Sequence, residues 1–577
     1  MTDDSGGTSG APRKDLIARI TRKIDRVKGS FNDLTIDEQL AAVLRAGGRE
    51  RLDLILLSKQ APALVKNLPK AELWLTLKLV GEGDALALIA ETTPEQVQYL
   101  IDIECWSKDR WVPERGLYWL RLLFASRPDK VLEWALKTDW ELVVLTLKYM
   151  MNVYKADMDE DPNTSIEWPG EKPPFTLDGT YHLQVMHVRD EPLVRSLLLQ
   201  LHDEKEDLYF RLLDGIIWEL ASDREEEGFQ RRERRIAEDG FPDFEEAAAV
   251  YRFVREGDLE RMPRRSKPAM EERPPKYPLA LLSTSEMFIK TAVGLVEDIE
   301  LMDAISLDLA ITANKVLIAD GDAISPESVL TAQEKVLGYC NIGLETMAEG
   351  RVEAAAKLLA EHYIVTLFQV GYTEIAKVAV KASGTTLREA AEILDSPWQE
   401  ILAGLGNKRP VYYRLGGESW AEGFCDFSER AEVMTASLAV DTVRLWLELF
   451  EPLLGMSVAD FREACPDALD LQLSGALLTG WCKRTLAGGG GLSPLDQEAL
   501  KTMIERVGGA AVEALVDDWL RWVLEVRSDL DPGEERSVRE FAAFCLDRLN
   551  GECEGLDARA KIDPRFISCV WLVEPAG

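Results

Sequence analysis

The sequence predicts a mainly α protein made of helical superhelix (α-solenoid-like) arrays with a small β-hairpin insertion. Short apolar segments follow one another at helical spacing, and several are introduced by proline. The composition, 46% hydrophobic and 29% charged with fifteen tryptophans, supplies a sizeable core. One stretch alone, "FTLDGTYHLQVMHV", sets Asp178-Gly179 between β-prone residues, as a two-residue hairpin turn requires.

Residues 1–12 read as a flexible tail, acidic and polar, without the apolar core of a secretory signal. Residues 13–154 read as a basic amphipathic helix followed by an N-terminal helical superhelix. In that first helix Leu16, Ile17, Ile20, Ile24 and Val27 recur at helical spacing, and Arg19, Arg22, Lys23 and Arg26 fall mainly on the other side. Arg13 to Lys28 holds seven basic and two acidic residues, on a chain of net charge −34. Such a helix grips an acidic partner or a membrane surface, or else docks onto the protein's own acidic body. Isolated cationic helices often have no external ligand, which favours the last reading. Arg19, Arg22, Lys23 and Arg26 are the candidate contacts.

Pro69, Pro94, Pro113 and Pro128 each open a short apolar segment, where the missing N–H is of no consequence to a helix. Thr93 and Gln96 form a capping box around Pro94. On the helix that follows, Val97, Ile101 and Cys105 make one i, i+4 row, whereas Glu95, Gln98 and Asp102 line a different face. Cys105 therefore reads as a small core residue, and the neighbouring Trp74, Trp106, Trp111, Trp119, Trp134 and Trp140 as aromatic layers.

Residues 155–188 form an acidic loop and the β-hairpin; helices continue over 189–254. There Arg231, Arg232, Arg234 and Arg235 alternate with Glu227, Glu233 and Glu238, the pattern of a solvated helix with a Glu227–Arg231 pair rather than of a phosphate site. Residues 255–278, with five prolines, seven basic and five acidic residues, read as a linker. Residues 279–577 read as a C-terminal helical array. It includes an antiparallel helix pair turning at Gly350, and a helix capped by Ser493, Pro494 and Asp496. The apolar run "RFISCVWLV" fits a strand or a docked helix equally.

The charge excess repels phosphate backbones, so no nucleic acid is expected as a partner. No window approaches the roughly 18 apolar residues of a transmembrane helix. Eight cysteines without a CxxC pair imply free thiols in a reducing cytoplasm. Asp157, Asp159 and Asp161 match the start of an EF-hand loop, but Pro162 stands in place of its glycine and Trp168 in place of its last carboxylate. His182, His187, His202 and His362 have no metal-ligand spacing, and neither "VGEGDALA" nor "AGLGNKRP" completes a phosphate loop. No cofactor, metal or catalytic residue is expected.

The stretches "IECWSKDRWVPERGLYWL", "DEDP", "FTLDGTYHL", "RRERRIAEDGFPDFEEAAAVY" and "ANKVLIADG" resemble a bacterial family known as a domain of unknown function, over most of the chain from about residue 45 to beyond 450. That resemblance implies no activity or site residue. The first helical region is also loosely similar, through its Pro-Glu helix starts, to the superhelical regulatory domain of magnesium transporters. Stacked helices expose long surfaces, so the expected function is a non-catalytic scaffold or adaptor for another protein. The rival reading is an enzyme or small-molecule sensor with a site between the two helical halves.

Overall fold

A computed structural model describes residues 31–107, 109–155, 174–218, 221–255, 257–265, 287–322, 324–416, 422–464, 471–487, 491–509, 511–553 and 567–573. The tail, the basic segment carrying Arg19, Arg22, Lys23 and Arg26, the three aspartates at 157, 159 and 161 and most of the 255–278 linker lie outside them. The chain divides into two compact units. The first runs to Cys340 and adds Met347–Gln369; the second takes Asn341–Thr346 and everything from Val370 onward. Both are mainly helical, with three small two-stranded sheets among the described residues.

Among its described residues the first unit starts with nine short helices: α1 (Ile36–Arg45), α2 (Gly48–Leu57), α3 (Ala61–Lys66), α4 (Lys70–Val80), α5 (Leu86–Glu91), α6 (Pro94–Glu104), α7 (Pro113–Ser126), α8 (Lys130–Lys137) and α9 (Trp140–Lys148). Each touches the helix two places on: α1 meets α3, α2 meets α4, and so on to α7 with α9. Odd and even helices therefore form two stacked layers. Short elements that cannot bury a face alone bury it on the next repeat, the physical content of the predicted superhelix. Cys105, Leu100 and Ile101 are buried in this core, as their row predicts.

Local signals fix the starts. Thr93 and Gln96 form both bonds of their capping box, and Pro94 and Pro113 are first helical residues. Pro69 instead caps α4 from outside, and Pro128 stands two residues before α8. A tight ribbon joins α6 to α7, pairing β1 (Trp106–Ser107) with β2 (Arg110–Trp111).

The hairpin differs from expectation. β4 (Tyr181–Val185) pairs along its length with β3 (Met151–Lys155), upstream of the acidic loop. Among the described residues Phe175 alone bridges back to Leu183 across Asp178-Gly179. Asp178 Oδ1 instead accepts from the Thr180 and Tyr181 amides, an Asx-type turn that the dipeptide alone did not reveal. After it come α10 (Glu191–Glu204), α11 (Glu206–Trp218), α12 (Ala221–Glu238), α13 (Phe244–Ala248), α14 (Phe288–Gly294), α15 (Ile299–Asp320), α16 (Pro326–Ala348), α17 (Val352–Glu361) and α18 (Ile364–Ala382). The turn at Gly350 is present, with Gly350 at φ 75° and Glu349 at φ 51°. The helix expected after it is broken at His362 and Tyr363.

The second unit contains α19 (Thr385–Ala390), α20 (Trp398–Leu405), the pair β5 (Tyr412–Arg414) and β6 (Gly423–Cys425), α21 (Arg430–Leu454), α22 (Val458–Ala464), α23 (Leu473–Ala487), α24 (Gln497–Gly509), α25 (Val512–Val526) and α26 (Pro532–Cys553). α21 is its axis, touched by α20, α23, α25 and α26. Their shared core stacks Trp481 on Trp519, centroids 5.3 Å apart, and sets Trp446 4.5 Å from Phe541. Asp496 alone caps α24, accepting from the Glu498 and Ala499 amides. The described part of the terminal apolar run, residues 567–573, forms no regular strand or helix: extended backbone at Trp571–Val573 bonds both sides of Leu495.

Candidate functional site

Four places gather ionisable side chains away from simple surface pairing. The first corrects the sequence reading of the arginines. α12 does not run solvated: it lies across α9 and beside α6, where it closes the stacked array. Arg235 forks onto Asp102, Nε to Oδ2 at 2.7 Å and Nη2 to Oδ1 at 2.9 Å, and also reaches Asp139. Arg231 takes Glu141, with Nη2 to Oε1 at 3.1 Å, and Arg224 joins the same oxygen at 3.3 Å. Arg232 is buried; its Nε donates to the Asp102 carbonyl at 2.7 Å and its guanidinium lies 5.8 Å from the Trp106 ring centroid. Glu227 pairs with Arg224, not with Arg231. Gly228 permits this close approach, since a Cβ there would stand 3.1 Å from Leu142 and 3.4 Å from Trp106.

Asp102, on a different face of α6 from the row of Val97, Ile101 and Cys105, is buried as well, beneath α12. Burial pushes its carboxyl up, with Arg235 and Gln98 pulling the other way. These charges serve one another and hold the last repeat shut.

The second place is the break between α17 and α18. Arg265 donates to Asp308 Oδ2 and to the His362 carbonyl, both at 3.0 Å, and its guanidinium lies over the Tyr363 ring. Asp308 also accepts the Ile364 amide at 2.7 Å, so one half-buried carboxylate caps α18 and anchors Arg265. His362 is buried with Nδ1 unpartnered among the described residues. Burial, then the charge of Arg264, lowers its titration below the ordinary 6.5, against the pull of Glu361. A depressed histidine costs stability once the unfolded chain takes up protons and the folded one does not. The first unit is therefore expected to weaken as pH falls below about 6.5, the unfolded value. His362→Gln is expected to flatten that slope, which urea midpoints at pH 7.5, 6.5 and 5.5 check; an unchanged slope assigns the effect elsewhere.

In the second unit Asp395 is the third centre. Its Oδ2 accepts the Ser474 amide at 2.9 Å, and its Oδ1 accepts the Ser474 hydroxyl and Arg548. Trp398, Trp446 and Phe541 wall this carboxylate, and the space among them is too small for a water molecule. Ser474 is therefore held as a helix-capping partner rather than presented to a substrate.

The fourth place is open. A cleft of about 300 Å³ runs between the end of α3, the α5–α6 corner and the α7–α8 corner, lined by Lys66, Glu91, Thr92, Glu95, Arg127, Lys130 and Glu133 among others. Lys130 is buried at its floor and donates to the Thr92 carbonyl and to Glu133, the latter at 2.9 Å. Arg127 pairs with Glu133 at 3.2 Å and with Asp129 at 2.9 Å.

The cysteines behave as predicted for Cys105: among the described residues, all but the half-buried Cys425 are buried, and burial pushes the Cys105 thiol up. Among the described residues no group of three or more His, Cys, Asp or Glu is placed to hold a metal ion, and no helix is long and apolar enough to cross a membrane.

These features define a mainly helical protein whose buried charges lock one element to another. Its family follows from comparison: the model of a family of unknown function, DUF6178, matches residues 28–573, and the chain belongs to that family. No curated protein and no solved structure matches it, so the looser likeness to magnesium-transporter domains is not shown.

Proposed function

We propose that the protein is an interaction scaffold whose stacked α1–α9 array docks another protein of basic surface. One patch supports the reading. Tyr118, 43% exposed, lies against an ion network in which Lys78 meets Glu82 at 2.8 Å and Glu104 at 3.1 Å, and Leu79, next to Lys78 on α4, is 52% exposed. Trp74 fixes the network from below by donating to Glu104 at 2.6 Å. An exposed leucine and tyrosine around oriented charges have the make-up of an interface centre. The net charge of −34 favours a cationic partner and speeds its encounter. A cytoplasmic setting fits the free thiols.

Purification from the native host in low salt is expected to return a partner with a basic surface. The Leu79→Asp/Tyr118→Ala variant should retain at least tenfold less of it, and added salt should weaken capture. Recovery of the bait alone, or equal capture by the variant, would refute the scaffold reading.

A further inference from the structure

The cleft floored by Lys130 has a charge arrangement that the scaffold reading does not use. Its lining holds three cations, Lys66, Arg127 and Lys130, and three carboxylates, Glu91, Glu95 and Glu133. Arg127, Lys130 and Glu133 neutralise one another, with Asp129 outside the rim completing the set. Lys66, Glu91 and Glu95 make no ion pair or side-chain hydrogen bond among the described residues. Glu95 and Lys66 are exposed and Glu91 is half-buried. Free charges of both signs therefore face one concavity whose wall is already fixed.

We propose that this cleft binds a small zwitterion of free amino-acid size, its ammonium held by Glu91 and Glu95 and its carboxylate by Lys66 on the side of Arg127. A volume of about 300 Å³ stands at the lower end of ligand pockets, which suits a small polar molecule. The charge balance points to the same class. On a chain of net charge −34 a simple anion is repelled at long range and a simple cation leaves Lys66 opposed, whereas a dipolar ion satisfies both signs. Lys130 is a positioning residue: its buried ammonium ties α8 to the α5–α6 corner and so holds the side of the cleft with Arg127 and Glu133 against the side with Glu91 and Glu95.

The test titrates the full chain with each protein amino acid by calorimetry in low salt, up to about 10 mM, where a Kd near 1 mM is readily seen. At least one is expected to bind, and its N-acetyl and its amide derivatives at least tenfold more weakly. Glu91→Gln/Glu95→Gln is expected to lose tenfold or more in affinity, and Lys66→Met likewise; all three positions lie outside the core, so folding is preserved. Silence from every amino acid, equal binding of the blocked derivatives, or unchanged affinity in both variants overturns the proposal. None of these outcomes bears on the Leu79–Tyr118 surface.

Discussion

Arg235→Ala is expected to destabilise the first unit by roughly 3 kcal/mol, which opens α12 to hydrogen exchange about a hundredfold faster. The size follows from what is left behind. The Asp102 side chain is 2% exposed and loses both prongs of its fork, while Gln98 alone remains to it. Breaking a buried pair from one side costs about 3–5 kcal/mol, because the orphaned charge keeps its desolvation penalty. The Arg235 side chain is itself 28% exposed, so part of the pair is already hydrated and the low end applies. Arg231→Ala is the control. That side chain is 41% exposed, Arg224 still serves Glu141, and the loss should be about 1 kcal/mol or less. Arg235→Lys rescues little, since an ammonium cannot reproduce two parallel bonds. Exchange over residues 221–238 in the full-length protein distinguishes the three; wild-type protection of that helix in Arg235→Ala would remove α12 from the role of closing element.

The same network marks where the sequence stops being legible. Periodicity over Val97, Ile101 and Cys105 found the core face of α6, and the Thr93–Gln96 box found its start, because both signals lie within one turn or two. Asp102 is set by the same periodicity on a different face from that row, and the periodicity says nothing of what covers that face. Its burial is imposed by Arg235, 133 residues away, and no local pattern carries such a partner. The Glu227–Arg231 spacing was sound helical geometry too, but Asp139 and Glu141, better placed across the gap, took Arg231 instead.

Strand β4 shows the same competition. A nearby Asp-Gly promised a local hairpin, yet β3 offered five paired residues. The open cleft was illegible for a related reason. Lys66, Glu91 and Arg127 belong to three separate segments, each unremarkable alone, and only the stacking of alternate helices brings them to one concavity. That stacking also shaped the functional expectation. The rival expectation concerned a site between the two helical halves, a different place from this cleft, whose lining residues all belong to the first array.

Asp395→Ala should be the most damaging single change in the second unit, by about 3 kcal/mol or more, because one carboxylate holds three donors. Removing it strands the buried Ser474 amide at the start of α23 and takes one partner each from the hydroxyl of Ser474 and the guanidinium of Arg548, which are left with each other and, for Arg548, with Gln472. Asp395→Asn keeps an acceptor for the amide in nearly the same shape and should be far milder. The pair of variants separates the two things the residue does, accepting hydrogen bonds and carrying charge. Burial pushes the Asp395 carboxyl above the ordinary 3.8, against Ser474 and Arg548. A raised carboxyl contributes stability that is fully present below the unfolded value and is lost as pH rises through the folded one. The wild type should therefore gain on Asp395→Asn as pH falls from 7 towards about 4, the range over which only the wild type can take up that proton. Urea midpoints of wild type, Asn and Ala variants at pH 7, 5 and 4 measure both effects. A gap between wild type and Asn that closes on acidification would mean that the ionised carboxylate, and not its hydrogen-bond geometry, is what α23 depends on.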